Sequence, residues 1–444
     1  MATKNKKHSA LRGWSIAFGV ILLIVGVLSV YYGVNNYTPA EGYYGNGKEW
    51  KSTDRFYPYY ADMPTLTLKE GQTKLKIMQI TDAQLKFGTF TQDTQTMDLL
   101  DKALSVVKPD VCVVTGDLTL SLFASGTVDY FCKFLESRKV YWCFTYGNHD
   151  SEFSLSKYRH SQIFSKYEYC LFDGGPSNIK GESNYFVKVN NSEGQLLYAL
   201  CMVDSNMYPD SRTGITEMVY DEVSAEQADW YEWNINGLRG YKSDLQTMAF
   251  LHIPFRSYVD MYYDIQNGVV TKYNGFVAEE GWTFNNPYSG TKIEMPGIFC
   301  QGGNLTADYN GGGYTLYNKI VALGSTKTVM CGHDHLNNLR GVDKNGVLLA
   351  YGRCCGYHTY PLFKNKDDMP IFHGIMRDVL GYKENQLFFD LWVDPDTGKQ
   401  MEKGVTVAEV DLSDDNYGAT EIYDLSHGTL SEGKIVKEYP IETN

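Results

Sequence analysis

Residues 110–150 read DVCVVTGD (Asp110–Asp117), then a helical VDYFCKFLESR, then VYWCFTYGNHD (Val140–Asp150). Two short apolar runs with a helix-like stretch between them predict strand, helix, strand, and such alternation predicts parallel strands joined by crossover helices. Each run stops on residues that bind metals or move protons: Asp117 after the first, and Asn148, His149 and Asp150 after the second. In open α/β sheets ligands bind outside the carboxyl ends of the strands, so loops leaving several strands can converge on one point.

The pattern recurs on both sides of this unit. LKIMQITD (Leu75–Asp82) reads as a strand that runs into Asp82 and Gln84, and Met97, Leu100, Leu104 and Val107 follow at helical spacing. Downstream come LLYALCMVDS, a helix starting at Ser224 with Gln227 completing a capping box, TMAFLHIP with His252, and KTVMCGHDH with His333 and His335. His160, His358 and His373 have no such setting and are expected in surface or core roles.

The flanks differ in character. Residues 35–73, rich in Tyr, Gly, Pro and Asn, hold no sustained period and read as a linker, stalk or wrapping arm. From Asp367 onward the chain is polar with short Val and Leu alternations and no cluster of metal-binding residues, so 367–444 is expected to be an accessory segment behind a catalytic domain of 74–366. At the front, Lys4, Lys6, Lys7 and Arg12 precede an uncharged stretch from Gly13 to Val34, long enough to cross a bilayer as a helix. Positive residues favour the cytoplasmic side, which predicts a cytoplasmic tail (1–12), a single-pass signal anchor in the cell membrane (13–34) and an extracytoplasmic remainder. A cleaved signal peptide is the alternative; the length of the apolar run and the absence of a nearby A-x-A site oppose it.

Composition narrows the function classes. A hydrophobic share of 43% with 21% charged residues belongs to a folded globular chain. The net charge of −13 argues against a general nucleic-acid binder, whose affinity would come from Lys and Arg on phosphates, but leaves room for a local pocket that takes a small phosphorylated substrate. The nine cysteines form no CxxC pair, and Cys112, Cys143, Cys201 and Cys331 sit inside strand-like runs, as buried small hydrophobes rather than zinc ligands do.

Taken in order, D-x-Q (Asp82, Gln84), GD (Asp117), GNHD (Asn148, His149, Asp150), the lone His252 and GHDH (His333, His335) resemble the calcineurin-like metallophosphoesterase superfamily. The later GRCCGY run, Gly352–Tyr357, is similar to that of its purple-acid-phosphatase-related members. The resemblance spans Leu75 to Tyr357 and implies an α/β fold, a four-layer αββα sandwich with two divalent metal ions at one edge of its sheets. Carried over residue by residue, it implies one ion on Asp82, Gln84, Asp117 and His335 and another on Asp117, Asn148, His252 and His333, with Asp117 bridging them. The implied reaction is phosphoester hydrolysis by a bridging hydroxide, and two dications set against two carboxylates leave the site positive for a phosphate dianion. His149 is then the expected non-ligand catalyst on the departing oxygen. Asp150 either fixes its tautomer or closes a turn, and Arg353 either reaches the phosphate or forms a structural salt bridge.

The family signature starts D-x-H, so Gln84 is a departure. The two ions implied are drawn from manganese, magnesium, iron or zinc, and the neutral amide oxygen favours oxygen-loving ones such as manganese or magnesium over softer ones at the first position. Leu120 stands where the tyrosine ligand of a purple iron centre would be, so no purple colour is expected. The stretch between His252 and His333, with Glu279, Glu280, Trp282 and Phe284, is expected to shape substrate choice. Two other readings stay open: an inactive or single-metal pseudoenzyme serving as a binding module, and a nuclease, which the acidic balance opposes.

Overall fold

The computed structural model describes residues 2–38, 47–87, 91–152, 154–208, 220–278, 282–285, 292–295, 297–301, 315–359, 370–379, 398 and 401–443. Its strands in chain order are β1 (Thr65–Thr67), β2 (Lys74–Ile80), β3 (Val111–Thr115), β4 (Tyr141–Thr145), β5 (Tyr185–Asn190), β6 (Leu196–Met202), β7 (Thr247–Phe250) and β8 (Tyr273–Asn274). They continue as β9 (Trp282–Asn285), β10 (Lys292–Met295), β11 (Thr326–Cys331), β12 (Arg340–Val342), β13 (Leu348–Tyr351), β14 (Gly404–Asp411), β15 (Ala419–Ser426) and β16 (Glu438–Glu442). The first five helices are α1 (Ala2–Asn35), α2 (Phe56–Asp62), α3 (Thr91–Val107), α4 (Ala124–Arg138) and α5 (Lys157–Phe164).

Period-two alternation sets the layers. In β2, Leu75 and Ile77 join a core with Val187, Leu200, Met248 and Met330 of the other sheet, while Met78 and Ile80 join one with Leu100, Phe131 and Phe164 of α3, α4 and α5. A third core lies between the other sheet and the helices Ala225–Arg239, Arg256–Gln266 and Thr315–Leu323. The result is the αββα sandwich. One sheet runs β16-β15-β14-β2-β3-β4 and the other β1-β5-β6-β7-β11-β13-β12-β8. Within them β2, β3 and β4 are mutually parallel, as are β6, β7, β11 and β13. Gln79 of β2 spans the sheets, its amide donating to Thr115 Oγ1 at 2.8 Å and to Cys331 O at 2.9 Å, which ties the ends of β2, β3 and β11 together.

Two expected boundaries change. The C-terminal region is not accessory: β14, β15 and β16 make half of the six-stranded sheet, and β14 pairs antiparallel with β2 from Thr406↔Gln79 to Asp411↔Lys74. Its alternation supplies both faces, with Val405 and Val407 towards the helices and Ala408 and Val410 between the sheets. Likewise the presumed linker contributes β1, an edge strand parallel to β5, and buries Trp50 among the helices of the outer layer. At the front, the apolar part of α1, Trp14–Asn35, has a mean hydropathy of 2.3 and none of it is buried. Among the residues expected to shape substrate choice, Trp282 and Phe284 fall in the β9–β10 hairpin, and Glu279 and Glu280 lie outside the described residues. His373 lies in a short helix, Pro370–Asp378.

Candidate metal centre

Five parallel strands of two sheets end at one edge of the sandwich. β2 delivers Asp82 and Gln84, β3 Asp117, β4 Asn148 and His149, β7 His252, and β11 His333 and His335. The chain turns sharply to do so: Asp82, Gln84, Asp117 and His333 all adopt left-handed backbone, with φ of 56°, 42°, 51° and 78°. Non-glycine residues hold that conformation at a cost of the order of 1 kcal/mol or more, and it gathers at functional sites. Glycines beside the donors allow the approach. A Cβ on Gly147 would sit 2.2 Å from Asp117 Oδ1, and one on Gly332 2.0 Å from Thr81 Oγ1.

The side chains form two adjoining sets around buried carboxylates. Ligand atoms of Asp82, Asp117 and His335 all lie within 4.8 Å of one another. His335 Nε2 is 3.3 Å from Asp82 Oδ1 and 3.3 Å from the Gln84 amide nitrogen; rotated about its amide axis, the same side chain presents oxygen. On the other side, His252 Nε2 lies 3.4 Å from Asp117 Oδ2, 3.2 Å from Asn148 Oδ1 and 3.3 Å from His333 Nδ1. His252 Nδ1 contacts Thr115 O at 2.7 Å, which fixes the tautomer and turns Nε2 inward, the arrangement of a metal-ligating imidazole.

The electrostatics match. Burial alone would push the Asp82 and Asp117 carboxyls up, yet His335 beside the first, and His252 and His149 beside the second, hold both below the usual carboxylate range. Conversely, burial disfavours the imidazolium forms, but Asp117 carries His252 up to about 10 and, with Glu152, carries His149 up to about 9. Burial and His252 together push His333 well down, so it stays a neutral donor. Asp82 Oδ1 is buried and, among the described residues, meets His335 Nε2 at 3.3 Å without a well-aligned hydrogen bond. Two carboxylates, three imidazoles and two amides around one buried point suit divalent cations, which would take over the role of those protons.

Two expected roles are corrected. Asp150 does not orient His149. Its carboxylate accepts backbone N–H groups from Asp117 (2.9 Å), Leu118 (2.8 Å), Thr119 (3.3 Å) and Gly147 (2.8 Å), lashing the GD loop to the GNHD loop. Burial and Asp117 push it up to about 7 against the opposing effect of those donors. The partner of His149 is Glu152, whose Oε2 lies 2.6 Å from Nδ1, leaving Nε2 3.8 Å from Asp117 Oδ2 on a side chain 29% exposed. Arg353 is directed elsewhere. Its Nε donates to Glu402 O at 2.7 Å and its Nη1 lies 3.6 Å from Asp424 and 3.7 Å from Glu438, so it takes the salt-bridge role.

Three side chains at this edge carried no motif. Glu152 stands three residues after His149, a spacing that does not by itself mark a partner. Tyr208 donates to Glu152 Oε1 at 3.0 Å, and Tyr220 meets the His333 ring edge-on at 4.5 Å between centroids. Neither tyrosine lies near a strand end with a recognisable pattern.

Phosphatase DCR2 of Saccharomyces cerevisiae is 28% identical over 311 residues, 63% of this chain and 47% of that protein, so the chain spans about half the length of this relative. Probable inactive purple acid phosphatase 14 of Arabidopsis thaliana is 24% identical over 323 residues, covering 65% of this chain and 72% of that one. Among solved structures, a dimetal phosphatase from Danio rerio aligns with a TM-score of 0.44 at 10% identity, over 83% of this chain and 99% of that one. Purple acid phosphatase PPD1 from yellow lupin seeds aligns at 0.41 and 11% identity, over 84% and 54%. The calcineurin-like phosphoesterase model matches residues 75–337, more than half of the chain and the whole run of strands that ends at this centre, and the chain therefore belongs to that family.

Proposed function

We propose that the protein hydrolyses a phosphate ester at a two-cation centre on the extracytoplasmic side of the membrane that α1 enters. The observation that carries this reading is the convergence of Asp82, Asp117 and His335 on one point, with Asn148, His252 and His333 gathered on the far side of Asp117. Asp82, Gln84, Asp117 and His335 would hold one ion and Asp117, Asn148, His252 and His333 the other. Divalent cations bound there supply Lewis acidity, polarising the phosphoryl group and acidifying water. The chain itself contributes a proton donor: Glu152 holds Nδ1 of His149, so the imidazolium presents Nε2–H to the departing oxygen. Asp150 keeps the two ligand loops in register and acts only through them.

A second reading is a protein that keeps the fold without turnover. What favours it is Gln84 in place of the usual histidine, together with relatives whose names call them probable inactive purple acid phosphatases. One assay separates the two: hydrolysis of para-nitrophenyl phosphate and its bis-ester by protein stripped of metal and refilled with manganese, magnesium, iron or zinc, beside Asp117→Asn. Metal-dependent turnover that disappears in the variant is expected. Absence of turnover with every metal, in protein that stays folded and binds fewer than two ions per chain, would replace the esterase by the binding module.

A further inference from the structure

The loops carrying two of the proposed ligands go on into outward-facing apolar side chains. Phe87, three residues beyond Gln84, is 43% exposed, and Leu122 and Phe123, just beyond Asp117, are 56% and 38% exposed. Phe123 joins this patch to the end of α1. Phe87 rests on Phe123 at 5.3 Å between centroids, and Phe123 on Tyr31 of α1 at 5.6 Å. The Tyr31 hydroxyl hydrogen-bonds Ser125 at 3.1 Å. The helix end is held again by the α5 region, where Arg159 Nε donates to Val34 O at 2.9 Å and the Ser156 N–H to Asn35 O at 3.0 Å.

Helix arithmetic gives the depth of this contact. From Trp14 to Tyr31, α1 rises about 26 Å at ~1.5 Å per residue, close to the ~30 Å hydrocarbon core of a bilayer. Aromatic residues stand at both ends, as in interfacial belts. Side chains that touch Tyr31 therefore lie at head-group depth, and the chain from them to Gln84 or Asp117 is too short to exceed about 20 Å even if fully extended. A cleft of about 410 Å³ is lined both by Asn36, Thr38 and Tyr158 beside the end of α1 and by Ser151, Met207 and Tyr208. Tyr208 is bonded to Glu152, the partner of His149.

We infer that Phe87, Leu122 and Phe123 form a collar docked into the leaflet that receives α1, and that the substrate is a lipid phosphoester of that same leaflet, its head group entering the cleft from the bilayer side. This substrate class rests on the phosphoesterase reading above. In the reaction, the P–O bond to the lipid breaks and one to a water oxygen forms. The lipid alcohol leaves with the His149 proton, and the phosphate, or the phosphomonoester from a diester, departs into water.

The test uses the full chain reconstituted into phosphatidylcholine vesicles doped with phosphatidic acid or phosphatidylglycerol, with para-nitrophenyl phosphate and its bis-ester as soluble controls. A second readout is independent of activity: a fluorophore on Leu122→Cys, read by quenching from lipids labelled near the head group. Expected are quenching of the label, metal-dependent cleavage of one vesicle lipid, and about a tenfold loss of that cleavage in Leu122→Glu with soluble-ester turnover unchanged. Soluble-ester turnover without lipid cleavage, or a label that stays in water, overturns the lipid substrate and leaves the esterase standing. No turnover of any ester overturns both.

Discussion

Asp117 touches nearly everything in the centre, and its neighbours divide its work. One of its oxygens accepts the His149 N–H at 2.9 Å and the other faces His252, so the strained turn at Asp117 fixes two loops at once. Around it, Gln84 and Glu152 make separable predictions. Gln84→His restores a nitrogen donor in a position already 3.3 Å from His335, so zinc affinity is expected to rise about tenfold or more relative to manganese, measured by competitive titration of metal-stripped protein. Equal affinities in the two proteins would remove Gln84 from the ligand set. Glu152→Gln removes the carboxylate that holds Nδ1 of His149. Burial pushes this imidazole down while Asp117 and Glu152 carry it up to about 9, and with Asp117 committed to cations Glu152 is the remaining anionic partner of the ring. Its loss lowers the pKa, and a general acid works only below its pKa. The alkaline limb of the kcat profile should therefore move to lower pH by about one unit, with kcat itself reduced. An unmoved limb would mean that His149 does not donate the proton. The eight residues that converge on this edge were legible because each follows a strand-like run, and the ends of neighbouring parallel strands lie together within each of the two facing sheets. The pairing of His149 with Glu152 rather than Asp150 was not, because ring direction depends on loop dihedrals that no spacing encodes.

At the scale of elements, the misjudged C-terminal strands also decide between the two roles left open for Arg353. GVTVAEVD alternates as a half-buried strand should, but an isolated alternation does not say which strand it joins, and absence of ligands says nothing about sheet membership. Once β14, β15 and β16 take their places, Arg353 faces them. Asp424 of β15 is fully buried and accepts from Arg340 Nη2 at 2.6 Å and from Thr406 Oγ1 at 2.7 Å, with Arg353 3.6 Å away. Arg340 belongs to β12 in the other sheet, so this carboxylate joins the two sheets through a charge pair out of water. Removing one partner of such a pair leaves the other charged and unpaired, which costs about 3–5 kcal/mol. Asp424→Ala should lower the urea midpoint by that equivalent in metal-free protein, and Asp424→Asn by somewhat less, since the amide oxygen still accepts from Thr406. A midpoint unchanged in both would mean that the C-terminal strands add little to the stability of the sandwich.

The whole molecule is asymmetric in charge. It carries 53 acidic against 40 basic side chains, yet the tail before the apolar helix holds Lys4, Lys6, Lys7 and Arg12 with no acidic residue up to Gly13. Basic residues this close to a first apolar helix hold their side in the cytoplasm, whereas the acidic remainder contributes little to orientation. In the orientation proposed above the catalytic domain faces outward, a compartment in which exposed thiols oxidise; of the nine cysteines eight are buried and none is in a disulfide. Protease added to intact spheroplasts of an expressing bacterium is accordingly expected to digest the catalytic domain while an epitope placed before Lys4 survives until lysis. Changing the four basic residues to glutamine should enlarge the protected fraction of the catalytic domain. Because the collar at Phe87, Leu122 and Phe123 is bound to whichever end of α1 carries Tyr31, the same experiment decides which leaflet it meets: digestion from outside assigns the outer one, and protection of the catalytic domain until lysis would assign the inner one and its lipids.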